Sequence, residues 1–169
     1  MKVISAWFVL FFVLFSCKTN LFYSDYQPVC PKKGTCVSQL FKRQNLYLKE
    51  DSIGSWYPVI RRGNKVVYKF EFKKKPQKKQ ADASYTEAIY LEFNPSLNFL
   101  KLKDHDLQKS KVFYQRFCYC KGASGGFPVK KGVLKIKKLS KNSFRIQLQF
   151  SVQGIPHLLK SIDQTVFLN

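Results

Sequence analysis

Residues 144–152 alternate without a break. Phe144, Ile146, Leu148, Phe150 and Val152 fall on one side, and Arg145, Gln147 and Gln149 on the other. Successive side chains of an extended backbone point to opposite faces. A run with period two is therefore a half-buried strand, apolar toward a core and polar toward water. Val66, Tyr68, Phe70 and Phe72 repeat the pattern against Val67, Lys69, Glu71 and Lys73, and Tyr85, Ile89, Leu91 and Phe93 form a third such face.

The basic stretch 132–138 is read as a strand joined to 144–152 by a hairpin at Lys141-Asn142. Shorter strands are expected over 36–43, 55–61, 112–120 and 165–168. Helical signals are brief: 104–111, and 156–162 with Pro156 at a first helical position. Strands this short, with turns every 8–12 residues, predict a mainly β fold. The expected form is an antiparallel sandwich or small barrel of about seven or eight strands with one or two short helices. At 169 residues, 45% hydrophobic and 16% aromatic, the chain can form a core despite its charge. The polar segment 73–84, with Pro76 and its lysines, reads as a solvated hairpin loop rather than a linker.

The N-terminus reads differently. One Lys is followed by an apolar run from Val3 to Phe15, interrupted only by Ser5. The run fits a secretory signal and is too short for a membrane span of about 20 residues. Leu14-Phe15-Ser16-Cys17 resembles the lipobox of bacterial lipoproteins, and the chain is similar in composition to small envelope lipoproteins of Bacteroidetes. The resemblance implies cleavage before Cys17 and acylation of its sulfur. Residues 1–16 are then a signal peptide, 17–29 a lipidated tether, and 30–169 a single β-rich domain. Lys18 at the second position, with no acidic cluster after it, implies the outer membrane on its periplasmic side.

Five cysteines are an odd number for an exported chain. Lipidation of Cys17 leaves Cys30, Cys36, Cys118 and Cys120, in a compartment that permits disulfides. Gaps of five and one residue fit zinc-ligand spacing poorly, and no Cys-x-x-Cys redox motif occurs. Side chains at 118 and 120 stand along one face of an extended backbone. Two structural disulfides are therefore expected to run from Cys30 and Cys36 to Cys118 and Cys120, in an order left open. The segment 121–126, KGASGG, lacks the Lys-Ser/Thr ending and following helix of a phosphate loop and reads as a turn.

Catalytic signals are sparse. Asp104-His105-Asp106 does not converge on one helix face, His157 follows Pro156 near the start of the second expected helix, and Glu87 and Glu92 are isolated acids in a basic chain. No nucleophile elbow occurs. A non-catalytic protein without cofactor or metal is expected. The alternatives are a lipocalin-like small-ligand carrier with an apolar cavity, or, less favoured, a hydrolase.

Thirty basic residues face ten acidic ones, a net charge of +20. Such a balance attracts polyanions and anionic surfaces. The basic clusters are Lys73, Lys74, Lys75, Lys78 and Lys79, and Lys130, Lys131, Lys135, Lys137 and Lys138. An exported protein has no routine access to nucleic acid. The expected partners are the membrane itself through the N-terminal lipid, anionic lipid, lipopolysaccharide or an acidic envelope protein.

Overall fold

A computed structural model describes residues 30–75, 84–120 and 124–168. They form nine strands: β1 Gly34–Glu50, β2 Trp56–Lys74, β3 Tyr85–Phe93, β4 Phe99–Lys103, β5 Phe113–Cys118, β6 Gly125–Pro128, β7 Lys131–Ser140, β8 Ser143–Ser151 and β9 Ser161–Phe167. A 3-10 helix, Asp104–Ser110, lies between β4 and β5. The five-stranded sheet has the order β1-β2-β3-β5-β6, the four-stranded sheet β4-β7-β8-β9, and every pairing is antiparallel.

The two sheets share one core and do not close into a barrel. Val66, Tyr68, Phe70, Ile89, Leu91, Phe93 and Tyr114 from the first sheet pack with Leu134, Ile136, Phe144, Ile146, Leu148 and Phe150 from the second. Phe93 meets Phe144 edge to face, ring centroids 5.1 Å apart, and Tyr114 lies 6.0 Å from Phe150. Of the residues that the alternation assigns to the core in 66–72, 85–93 and 144–150, all are buried except Tyr85, which is only partly buried at the start of β3. The core residues named above pack together between the two sheets.

The five-stranded sheet departs from simple alternation because its outer face is also covered. Beyond residue 43 the β1–β2 hairpin turns back over its own sheet. Leu46, with Leu48 and Ile60, packs on Val67, Ala88, Tyr90 and Phe113 as a second small core. The turn is made by a bulge between Lys42 and Gln44, where Arg43 takes φ 51°. On the partner strand Gly63 leaves room for the side chain of Asn45, which a Cβ there would strike. Asn45 Oδ1 accepts the backbone N–H groups of Asn64 and Lys65, at 3.2 and 3.3 Å. The expected strands 55–61 and 66–72 are thus two halves of one strand, β2. At the far side the arm lies so close to β6 that a Cβ on Gly126 would meet the Trp56 carbonyl and the Phe113 ring.

One buried carboxylate pins the arm. Glu92, 1% exposed, accepts the backbone N–H of Leu46 at 2.8 Å and the ammonium groups of Lys65 and Lys111 at 2.6 and 3.0 Å. Lys111 also donates to the Leu46 carbonyl at 2.5 Å. Its left-handed backbone ends the 3-10 helix, whose Leu107 is buried in the core.

Two expectations are corrected here. The expected helix 156–162 does not form. The N–H groups of Leu158 and Leu159 donate to the Glu87 carboxyl at 2.7 Å each, Arg116 donates to the Pro156 carbonyl, and Ile162 enters β9 opposite Leu148. Side chains from β3 and β5 instead hold this segment as the connection into β9. The expected cross-sheet disulfides do not form either. Cys30 bonds Cys36, and Cys118 bonds Cys120, with Cα separations of 5.8 and 5.2 Å. β2 and β3 stand between β1 and β5, three steps of roughly 4.8 Å, beyond the Cα reach of a disulfide. A bend at Tyr119 brings Cys118 and Cys120 together.

Burial alone would raise the Glu92 carboxyl, but the bonds from Lys65, the Leu46 N–H and Lys111 outweigh it and leave the group below the ordinary carboxylate range. The folded value is lower than the unfolded one. Its contribution is therefore complete above the unfolded value, about 4.3 for Glu, and is lost as pH falls through the folded value. Glu92→Gln is expected to cost about 1–3 kcal/mol at neutral pH. Its deficit relative to wild type should shrink below about pH 4, measured by urea unfolding across a pH series.

Candidate functional site

The outer face of the four-stranded sheet is covered by no other described element. The inner positions of β7 are Leu134 and Ile136, so Lys131, Lys135 and Lys137 point outward. In β4, Leu102 is buried and Leu100 packs against the core, so Phe99, Lys101 and Lys103 point outward. Arg145, Gln147 and Gln149 continue the face on β8, and Asp163 on β9. Register then sets like charges side by side: Lys101 stands directly opposite Lys135, and Lys137 directly opposite Arg145. Such pairs are destabilising across antiparallel strands.

Two acids relieve part of this charge: Asp104 lies 4.0 Å from the Lys103 ammonium, and Asp163 takes Arg145. Asp163 accepts Nε and Nη2 of Arg145 at 2.9 and 2.8 Å, and Nε2 of Gln147 at 2.8 Å. Arg145 holds the Asp163 carboxyl below its ordinary value. Among the described residues, Lys101 and Lys137 form no ion pair. A shallow groove of about 360 Å³ runs between Phe99, Lys101, Lys135, Lys137, Arg145 and Gln147, and Phe99 is 60% exposed. An arrangement of fixed ammonium and guanidinium groups around an apolar ring can hold oxyanions and pack on an apolar neighbour. It contains no nucleophile, acid–base pair or metal-ligand set.

The basic residues read from the sequence divide among several places. Lys131, Lys135 and Lys137 lie on this face, and Lys130 is exposed just before β7. Lys138 belongs to the opposite side of the strand: it reaches the Pro95 carbonyl at 3.3 Å and sits over the Phe144 ring. Lys73 pairs with Glu71 at 3.0 Å at the end of β2, Lys74 lies over the Tyr85 ring, and Lys75 is exposed beyond them. Lys78, Lys79 and Cys17 lie outside the described residues. Lys101, Lys103, Arg145 and Phe99 were not singled out from the sequence. Their signal is present in the alternation FLKLK at 99–103, whose odd positions share a face.

A second polar cluster is closed to solvent. Glu87, fully buried, accepts Leu158 and Leu159 N–H and the Tyr85 hydroxyl. Burial, and then the bond to Glu87, push the Tyr85 hydroxyl up to about 12. The Tyr114 hydroxyl is raised further, first by burial and then by the nearby Glu87 charge. Nε2 of His157 accepts Val152 N–H at 3.3 Å, so the proton resides on Nδ1, 2.6 Å from the Leu159 carbonyl. The cluster fastens the β8–β9 connection to the first sheet. His105 is exposed elsewhere, and among the described residues no three His, Cys, Asp or Glu side chains converge as metal ligands.

Comparison with protein-family models, curated proteins and solved structures finds no match. The functional reading therefore rests on the geometry of the basic face.

Lys137→Thr removes one member of an opposed like-charge pair and places a β-branched residue in a strand. It should stabilise the ligand-free protein by about 0.2–1 kcal/mol. The gain should shrink as salt is raised, read from urea midpoints at low and high ionic strength.

Proposed function

We propose that this protein is a lipid-anchored, non-catalytic binding module of the bacterial envelope, which engages anionic lipid head groups through the solvent face of its four-stranded sheet. The observation that carries the reading is the register that opposes Lys101 to Lys135 and Lys137 to Arg145 on a face that no other described element covers. Like charges directly opposite on antiparallel strands repel, and an anionic surface offsets that repulsion. A sheet face also presents its charges in a broad array, which suits a membrane surface.

The lipobox-like Leu14-Phe15-Ser16-Cys17 supports the same reading. One acyl signal binds a membrane weakly unless a second chain or a basic patch assists it, and each lysine near an anionic surface contributes roughly 1 kcal/mol. The net charge of +20 agrees with such a partner.

Two measurements test the proposal. Cys17→Ser is expected to shift the protein from the membrane to the soluble fraction of cells when membranes are washed in high salt, which screens the basic face; unchanged sedimentation after that wash would reject the lipid anchor. The unlipidated chain, lacking residues 1–16 and carrying Cys17→Ser, should co-sediment with phosphatidylglycerol vesicles and not with phosphatidylcholine vesicles. Replacing Lys101, Lys131 and Lys137 by Gln should weaken that binding on the order of 100-fold, from about 1 kcal/mol each. Equal weakening by Gln at Lys73, Lys74 and Lys75 would show nonspecific charge attraction and reject the assigned face.

A further inference from the structure

The bond between Cys118 and Cys120 ties no two strands together. It closes over the single residue Tyr119, at the end of β5. A disulfide restrains the unfolded chain more as the loop it closes grows, and this loop is close to the shortest available. Cys30–Cys36 also joins no two strands and is likewise half-buried, but it closes a longer loop and Cys36 packs against the core.

The β3–β5 ladder ends at Tyr85 opposite Cys118. Both cysteines are half-buried, while Phe117 and Tyr119 beside them are 53% and 95% exposed. Two large apolar side chains next to the cysteines in sequence are thus exposed. Accessible disulfides that contribute little to the fold are the readily reduced ones.

We infer that Cys118–Cys120 is a thiol–disulfide exchange centre whose substrate is an extended polypeptide carrying two thiols, with apolar residues that pack on Phe117 and Tyr119. A substrate thiolate attacks one sulfur of the pair. The Cys118–Cys120 bond breaks, a mixed disulfide forms, and the other cysteine leaves as thiolate. The second substrate thiol, as thiolate, then attacks the mixed disulfide. The substrate departs oxidised, and the two electrons remain on Cys118 and Cys120 as a dithiol. A low-molecular-weight disulfide of the glutathione type restores the bond by the reverse exchange. This inference does not depend on anion binding by the basic face.

The test equilibrates the full-length protein in glutathione buffers of graded ratio, traps thiols by alkylation, and maps the peptides containing 118–120 and 30–36 separately. Cys118–Cys120 is expected to be half reduced at a ratio of squared reduced to oxidised glutathione at least 10-fold lower than Cys30–Cys36 requires, with the circular dichroism of the fold unchanged. The oxidised protein should also oxidise one equivalent of a dithiol peptide. That activity should vanish in the Cys118→Ser/Cys120→Ser variant. Phe117→Ser/Tyr119→Ser should slow oxidation of an apolar peptide while leaving reduction by dithiothreitol unchanged. Opening of both disulfides at the same ratio, opening of Cys118–Cys120 only on unfolding, or failure to oxidise the peptide would each overturn the inference.

Discussion

The structure depends on how the outer face of its five-stranded sheet is covered. An antiparallel sheet commonly keeps one face wet, yet in this sheet β3 is buried on both sides for most of its length. The cover is the sheet's own first hairpin, folded back through the bulge at Arg43 and the space beside Gly63. Leu46, Leu48 and Ile60 supply apolar contact, and Glu92 fixes its position with bonds from a backbone amide and two lysines. The geometry of hydrogen bonds to Glu92, more than hydrophobic burial alone, specifies where the arm lies.

This division of labour leaves the two sheets with opposite external characters. The five-stranded sheet is capped by its own hairpin, and no other described element covers the cations of the four-stranded sheet. Lys69, Glu71 and Lys73 on the first sheet form a mixed, internally paired group. The second sheet carries Lys101, Lys135, Lys137 and Arg145 in opposed positions with Asp163 as the local acid. The strands of the two sheets carry the same net charge, so the opposed register, not a greater excess of cations, sets the proposed docking face apart.

Much of the core was legible because period-two alternation depends only on local geometry. Tyr68, Leu91, Phe144 and Ile146 announce their side of the strand by their spacing. What alternation cannot register is a second layer. Ala88, Tyr90 and Glu92 occupy positions that would be wet in a one-sided sheet and are buried because a segment over forty positions earlier lies on them. The same nonlocality explains residues 156–162, where Pro156 offers a helix start but Glu87 takes the N–H groups of Leu158 and Leu159. It also explains the disulfides: their pairing follows strand order, which the cysteine spacing does not encode. The basic face was partly legible, since Lys131, Lys135 and Lys137 share parity. Its other half, on β4 and β8, required the register.

The bulge at Arg43 has a consequence for how many copies of this chain can share a surface. β1 is an edge strand seventeen residues long, and an uninterrupted edge of that length is a template on which a neighbouring molecule could add a strand. The left-handed residue breaks it into two runs pointing in different directions, so no straight partner can follow both. If the proposed anchor confines the molecules to two dimensions, where encounters are frequent, this one backbone irregularity favours crowding without fibre formation.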